Sequence, residues 1–72
     1  MKVQTILKAI GENHLTLHQC PGYFVWTYDN GKMFEQTSTY VDKLSHLTID
    51  QWIEDGKEFM EYVKQVKEEK GA

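Results

Sequence analysis

The chain has 72 residues, eleven acidic and eight basic, with a net charge of −3 and a single cysteine. One cysteine excludes an intramolecular disulfide, no Cys/His set has the spacing of a structural zinc site, and no stretch approaches the ~20 apolar residues of a membrane span. All eight basic residues are Lys, which argues against reading duplex DNA, where Arg makes the bidentate phosphate and guanine contacts and negative charge opposes binding.

The length predicts one domain, residues 1–72, with 70–72 a frayed polar tail. A domain of this size buries only about 60% of its unfolded-chain surface. Without a disulfide or metal its stability reaches roughly 3–5 kcal/mol, so close packing or self-association must supply anything further. The lone cysteine suits a reducing compartment. Residues 1–10 lack the long apolar run and cleavage site of a leader. The expectation is a cytoplasmic, unprocessed protein.

In segment 2–10, Val3, Ile6, Leu7 and Ile10 fall at helical spacing, and Gly11 suits the position just past a helix end. The β-branched Val3, Thr5 and Ile6 would also allow a strand. A short helix is favoured and the strand stays open. From 14 to 19 the period becomes two: Leu15 and Leu17 point one way, His14, Thr16 and His18 the other. Cys20-Pro21-Gly22 then turns the chain.

Residues 23–28, Tyr-Phe-Val-Trp-Thr-Tyr, carry the strongest strand signal. Asn30-Gly31 predicts a two-residue type I′ hairpin, with the return strand over about 32–41. In that register Tyr28 faces Met33, Trp26 faces Glu35 and Phe24 faces Thr37. Thr27, Val25 and Tyr23 face Phe34, Gln36 and Ser38 on the opposite side. Both faces then carry aromatics, and one helix can cover only one of them.

Residues 42–47 connect to a final helix over roughly 49–69. Thr48 and Gln51 have capping-box spacing, and Leu47 and Trp52 that of a hydrophobic staple. Ile49, Trp52, Ile53, Gly56, Phe59, Met60, Val63 and Val66 form its apolar face. Acidic residues near its start and Lys near its end suit the helix dipole. Lys57–Glu61 and Lys64–Glu68 are spaced as ion pairs. Gly56 costs about 1 kcal/mol relative to Ala in mid-helix. Its place on the buried stripe predicts a bulky hairpin aromatic approaching the helix backbone there.

Chemistry-bearing residues are sparse. His14 and His18 would be on the order of 13 Å apart along a strand. His18 and Cys20 alone make neither a stable zinc site nor a supported nucleophile. Asp50, Glu54 and Glu58 share a solvated helix face, the pattern of a charged surface rather than of a paired-carboxylate site. No phosphate-binding glycine motif occurs. No catalytic residue, metal or cofactor is therefore assigned. The protein-interface candidates are Tyr23, Trp26, Tyr28 and Tyr40, because Tyr and Trp dominate protein hot spots. Such rings could also stack single-stranded bases, or complete the core beneath the N-terminal segment.

The run Gly22-Tyr23-Phe24-Val25-Trp26-Thr27-Tyr28-Asp29, with Phe34-Glu35, Ser38-Thr39-Tyr40-Val41 and the stretch from Leu47 to Lys57, resembles small uncharacterised proteins carried by bacteriophages and prophages. The likeness covers roughly residues 10–58. It implies a phage accessory or host-interaction protein and transfers no site residue.

The expected fold is α+β: a short N-terminal helix, a three-stranded antiparallel meander and a long C-terminal amphipathic helix on one sheet face. The expected function is a non-enzymatic protein-interaction module that binds a protein partner or itself, with a homodimer favoured by its small size. A membrane is not expected as partner and nucleic acid is disfavoured. The alternatives are single-stranded nucleic-acid binding and a small His/Cys enzyme or metal protein.

Overall fold

A computed structural model describes residues 2–71, with side-chain surroundings through residue 67. The order is α1 (Val3–Ile10), β1 (Leu15–Cys20), β2 (Tyr23–Asp29), β3 (Phe34–Thr39), a 3₁₀ turn (Leu44–His46) and α2 (Ile49–Gly71). The strands form one antiparallel sheet in the order β1-β2-β3. This is the expected α+β arrangement, with the N-terminal segment a helix. The apolar stripe decides that segment. Ile6 is buried, Val3, Leu7 and Ile10 pack against the core, and Gly11 ends the helix at φ 78°, donating its N–H to the Leu7 carbonyl.

Both helices lie on one side of the sheet. Ile6 of α1 and Trp52, Phe59, Met60 and Val63 of α2 share a core with Leu15, Leu17, Phe24, Trp26 and Tyr28. Trp52 is its hub. Its ring meets Phe24 edge-on at 5.1 Å and Trp26 at 6.2 Å, and its indole N–H donates to the Leu44 carbonyl at 2.8 Å. The capping box forms as expected: Thr48 N–H donates to Gln51 Oε1 at 2.9 Å and Gln51 N–H to Thr48 Oγ1 at 3.2 Å. Each bond satisfies a first-turn donor that the helix itself leaves free. α2 continues to Gly71, past the expected 69. Of the expected tail, Ala72 lies outside the described residues. Lys64 pairs with Glu12 at 3.6 Å, tying α2 to the end of α1. Among the described residues the expected Lys57–Glu61 pair does not form, and the Glu68 side chain, the expected partner of Lys64, lies outside them.

The β2–β3 hairpin departs from the expected register by two residues. Asp29 pairs with Phe34, Trp26 with Thr37 and Phe24 with Thr39, so the loop is residues 30–33 rather than Asn30-Gly31 alone. The cause is Asn30. A type I′ turn needs positive φ at both central residues, and here Gly31 (φ 86°) has it but Asn30 does not. Asn30 instead accepts, through Oδ1, the N–H groups of Lys32 at 2.9 Å and Met33 at 2.8 Å, which stabilises a wider loop. The tight turn is the other one, Pro21-Gly22, where Gly22 has φ 83° and Cys20 pairs with Tyr23. An even slip leaves every side chain on its expected face.

Candidate protein-interaction surface

Alternation along β2 decides which aromatics are free. Phe24, Trp26 and Tyr28 point toward the helices and are buried, while Tyr23, Val25 and Thr27 point away and are half-buried. The four interface candidates therefore separate. Trp26 is 0% and Tyr28 9% exposed, so both belong to the core and offer no surface. Residue type alone does not separate them from the free aromatics, but strand parity puts them on the opposite face from Tyr23. Tyr23 and Tyr40 come together on the uncovered side, rings 6.1 Å apart, with Tyr40 82% exposed. Phe34, at the other end of β3, is 59% exposed and lies on the same face by parity. It was missed as a candidate, although its register opposite an outward-facing residue of β2 was the available signal.

The N-terminal segment does not cover this face, since α1 packs against α2 and β1 from the other side. The smallest molecular extent, 17 Å, accommodates two layers at the ~10 Å layer spacing and no third. The uncovered face also carries Thr16, His18, Cys20, Gln36 and Ser38, and within the strands its one Asp, Glu, Lys or Arg is Asp29, opposite Phe34. Formal charge is concentrated on the outer side of the helices and in the turns.

Trp26 has a different role. Its indole N–H donates to Asp55 Oδ2 at 2.8 Å, and Thr39 Oγ1 donates to the same oxygen at 2.6 Å. Asp55 of α2 thereby joins the helix to β2 and β3 together. A shallow groove between β3 and α2, lined by Gln36, Thr37, Asp55, Glu58, Phe59 and Tyr62, runs beside this contact.

The expected chemical candidates sit apart. His18 Nε2 lies 3.1 Å from Thr16 Oγ1, and the His14 ring meets Tyr28 edge-on at 6.0 Å. Among the described residues no three His, Cys, Asp or Glu side chains are grouped to hold a metal ion. Cys20 is a half-buried free thiol. The phenol of Tyr23 titrates above its usual value, chiefly because negative charge on Cys20 opposes its ionisation, and also because the Cys20 side chain hydrogen-bonds to it. Among the described residues no helix is long and apolar enough to cross a membrane. No protein-family model, curated protein or solved structure matches the chain.

Proposed function

We propose that the chain is a non-enzymatic protein-interaction module whose anchors are Tyr23, Phe34 and Tyr40. The observation that carries this reading is the uncovered sheet face. Both helices pack on one side, and the other side presents a paired Tyr23 and Tyr40 with Phe34. Exposed large apolar side chains grouped on one surface mark interaction sites, and Tyr is enriched in binding hot spots. Single-stranded nucleic acid is the weaker reading, because stacking platforms combine aromatics with a cationic groove and the strands of this face bear no Lys or Arg. The resemblance to phage-borne proteins adds a host protein to the candidate partners. The partner would be cytoplasmic, in keeping with the lone thiol.

The test is quantitative affinity purification from cells that encode the chain, comparing wild type with Tyr23→Ala/Tyr40→Ala. The expected result is one or more proteins retained by wild type and lost with the double variant, reproduced with purified components. An identical set of retained proteins for both would overturn the assignment of the face. Salt-dependent oligonucleotide binding that disappears with the double variant would transfer the face to nucleic acid. Trp26→Ala is not a surface probe, since it would empty the core.

A further inference from the structure

The large apolar side chains exposed among the described residues are Phe34, Tyr40 and Tyr62, and all three border one strand. Phe34 opens β3, Tyr40 follows its last residue, and Tyr62 lines the groove that has Gln36 and Thr37 as its strand wall. β3 is also a sheet edge, with an unpaired row of backbone donors and acceptors. Edge strands are ordinarily guarded by charged side chains, Lys above all, by Pro, a bulge or a covering element. The sequence Phe-Glu-Gln-Thr-Ser-Thr has no Lys or Pro and a single charge, the half-buried Glu35, and its pairing with β2 runs without a bulge from Phe34 to Thr39. The opposite edge, β1, differs: α1 packs on it and no large apolar side chain is exposed there.

We infer that β3 pairs antiparallel with β3 of a second copy of this chain, about a two-fold axis through Thr37, making one continuous six-stranded sheet. This rests on the protein-interaction reading above and names its partner. Symmetry selects the register. A two-fold axis perpendicular to the sheet requires opposed residues to share a face, so one residue must sit opposite its own counterpart. With Thr37 on the axis, Gln36 opposes Ser38, Glu35 opposes Thr39, and Phe34 opposes Tyr40 of the second copy. The exposed aromatics at both ends then cover each other twice, and aromatic cross-strand pairs are among the stabilising ones. Centring on Glu35 would oppose two carboxylates, and centring on Gln36 would leave Tyr40 opposite Lys32. The Thr37 register opposes no like charges directly: Glu35, the one charged residue of β3, faces Thr39 of the second copy. Both copies keep their helices on the same side of the joined sheet. The two grooves then meet above the paired Thr37 residues, with Tyr62 of each copy bordering the shared space.

A six-residue strand pair covers less than the ~800 Å² per partner of a standard interface. The dimer is therefore weak, with a dissociation constant in the micromolar range. The test is sedimentation equilibrium on the full chain from low micromolar to about millimolar concentration, the range such a weak interface requires. Three samples are compared: wild type, Thr37→Lys, and an equimolar mixture of Thr37→Lys with Thr37→Glu. Thr37 is exposed, and circular dichroism confirms that each variant is folded. Wild type is expected to dimerise, and Thr37→Lys alone to weaken dimerisation at least about tenfold because like charges meet on the axis. The mixture is expected to recover it as a heterodimer. Wild type that stays monomeric throughout, yet still loses a partner with Tyr23→Ala/Tyr40→Ala, overturns self-pairing and leaves the interaction face standing. Undiminished dimerisation of Thr37→Lys, or no recovery in the mixture, overturns pairing through β3 in this register.

Discussion

At Gly56 the Trp26 ring of β2 and the Ile10 side chain of α1 both press against the α2 backbone. A Cβ there would fall 2.7 Å from Cη2 and 3.0 Å from Cζ3 of Trp26, and in direct collision with Cδ1 of Ile10. Ile10 can swing its terminal methyl aside, but the Trp26 ring is held by its bond to Asp55. Ala would gain about 1 kcal/mol of helix propensity and lose roughly 1–3 kcal/mol to overpacking. Gly56→Ala should therefore lower stability modestly and Gly56→Leu severely, as read from urea midpoints. Unchanged midpoints for both would show that the helix can lift away freely. Tyr23 supplies a second residue-scale test. Its phenol is raised above the ordinary 10.0 chiefly by charge on Cys20. Above that pH the folded chain holds the proton that the unfolded chain has released, so stability falls as pH rises from 10.0 toward the folded value. Cys20→Ser should bring the Tyr23 midpoint, followed by NMR, back toward the ordinary value. A midpoint indifferent to the thiol would point to another cause.

At the scale of elements, Asp55 decides how α2 sits on the sheet. One carboxylate oxygen accepts from both Trp26 and Thr39. Asp55→Ala leaves a buried indole donor without a partner, a loss of about 1–3 kcal/mol, whereas Asp55→Asn retains an acceptor oxygen and should lose less. Equal thermal shifts for the two would show that the side chain's bulk, rather than its hydrogen bonding, is what matters. This contact was not legible in the sequence, because it joins residues 29 and 16 positions apart. What was legible is local. The capping box of Thr48 and Gln51, the stop at Gly11 and the alternation in β1 and β2 each need only neighbouring residues. The hairpin loop failed on local chemistry of another kind. Asn-Gly favours a two-residue turn, but the Asn30 side chain can itself stand in for backbone acceptors, and that option widened the loop. Face membership survived because the slip was even. The identity of the buried face did not follow from β2 itself, which carries rings on both sides. It follows from Leu15 and Leu17, whose partners are Tyr28 and Trp26; applying that pairing would have removed both from the surface set.

For the whole molecule, the limiting fact is a core one layer deep on each side of a single interface, with the second sheet face left in water. Stability without a staple is then confined to roughly 3–5 kcal/mol, and association is the remaining way to raise it. Binding that requires the folded state adds to stability by mass action. If two chains unfold together, each tenfold rise in concentration above the dissociation constant adds about 1.4 kcal/mol per dimer, or half that per chain. A domain of this size gains roughly 4–8 °C in Tm per kcal/mol, so the wild-type Tm should climb about 3–6 °C per tenfold increase in concentration. Thr37→Lys should melt at a temperature nearly independent of concentration over the same range, because the proposed axis brings the two Lys residues together. Calorimetry at two concentrations a decade apart checks both. A wild-type Tm that does not move would assign all of the stability to the layer between sheet and helices, and leave the aromatic edge free for a different protein.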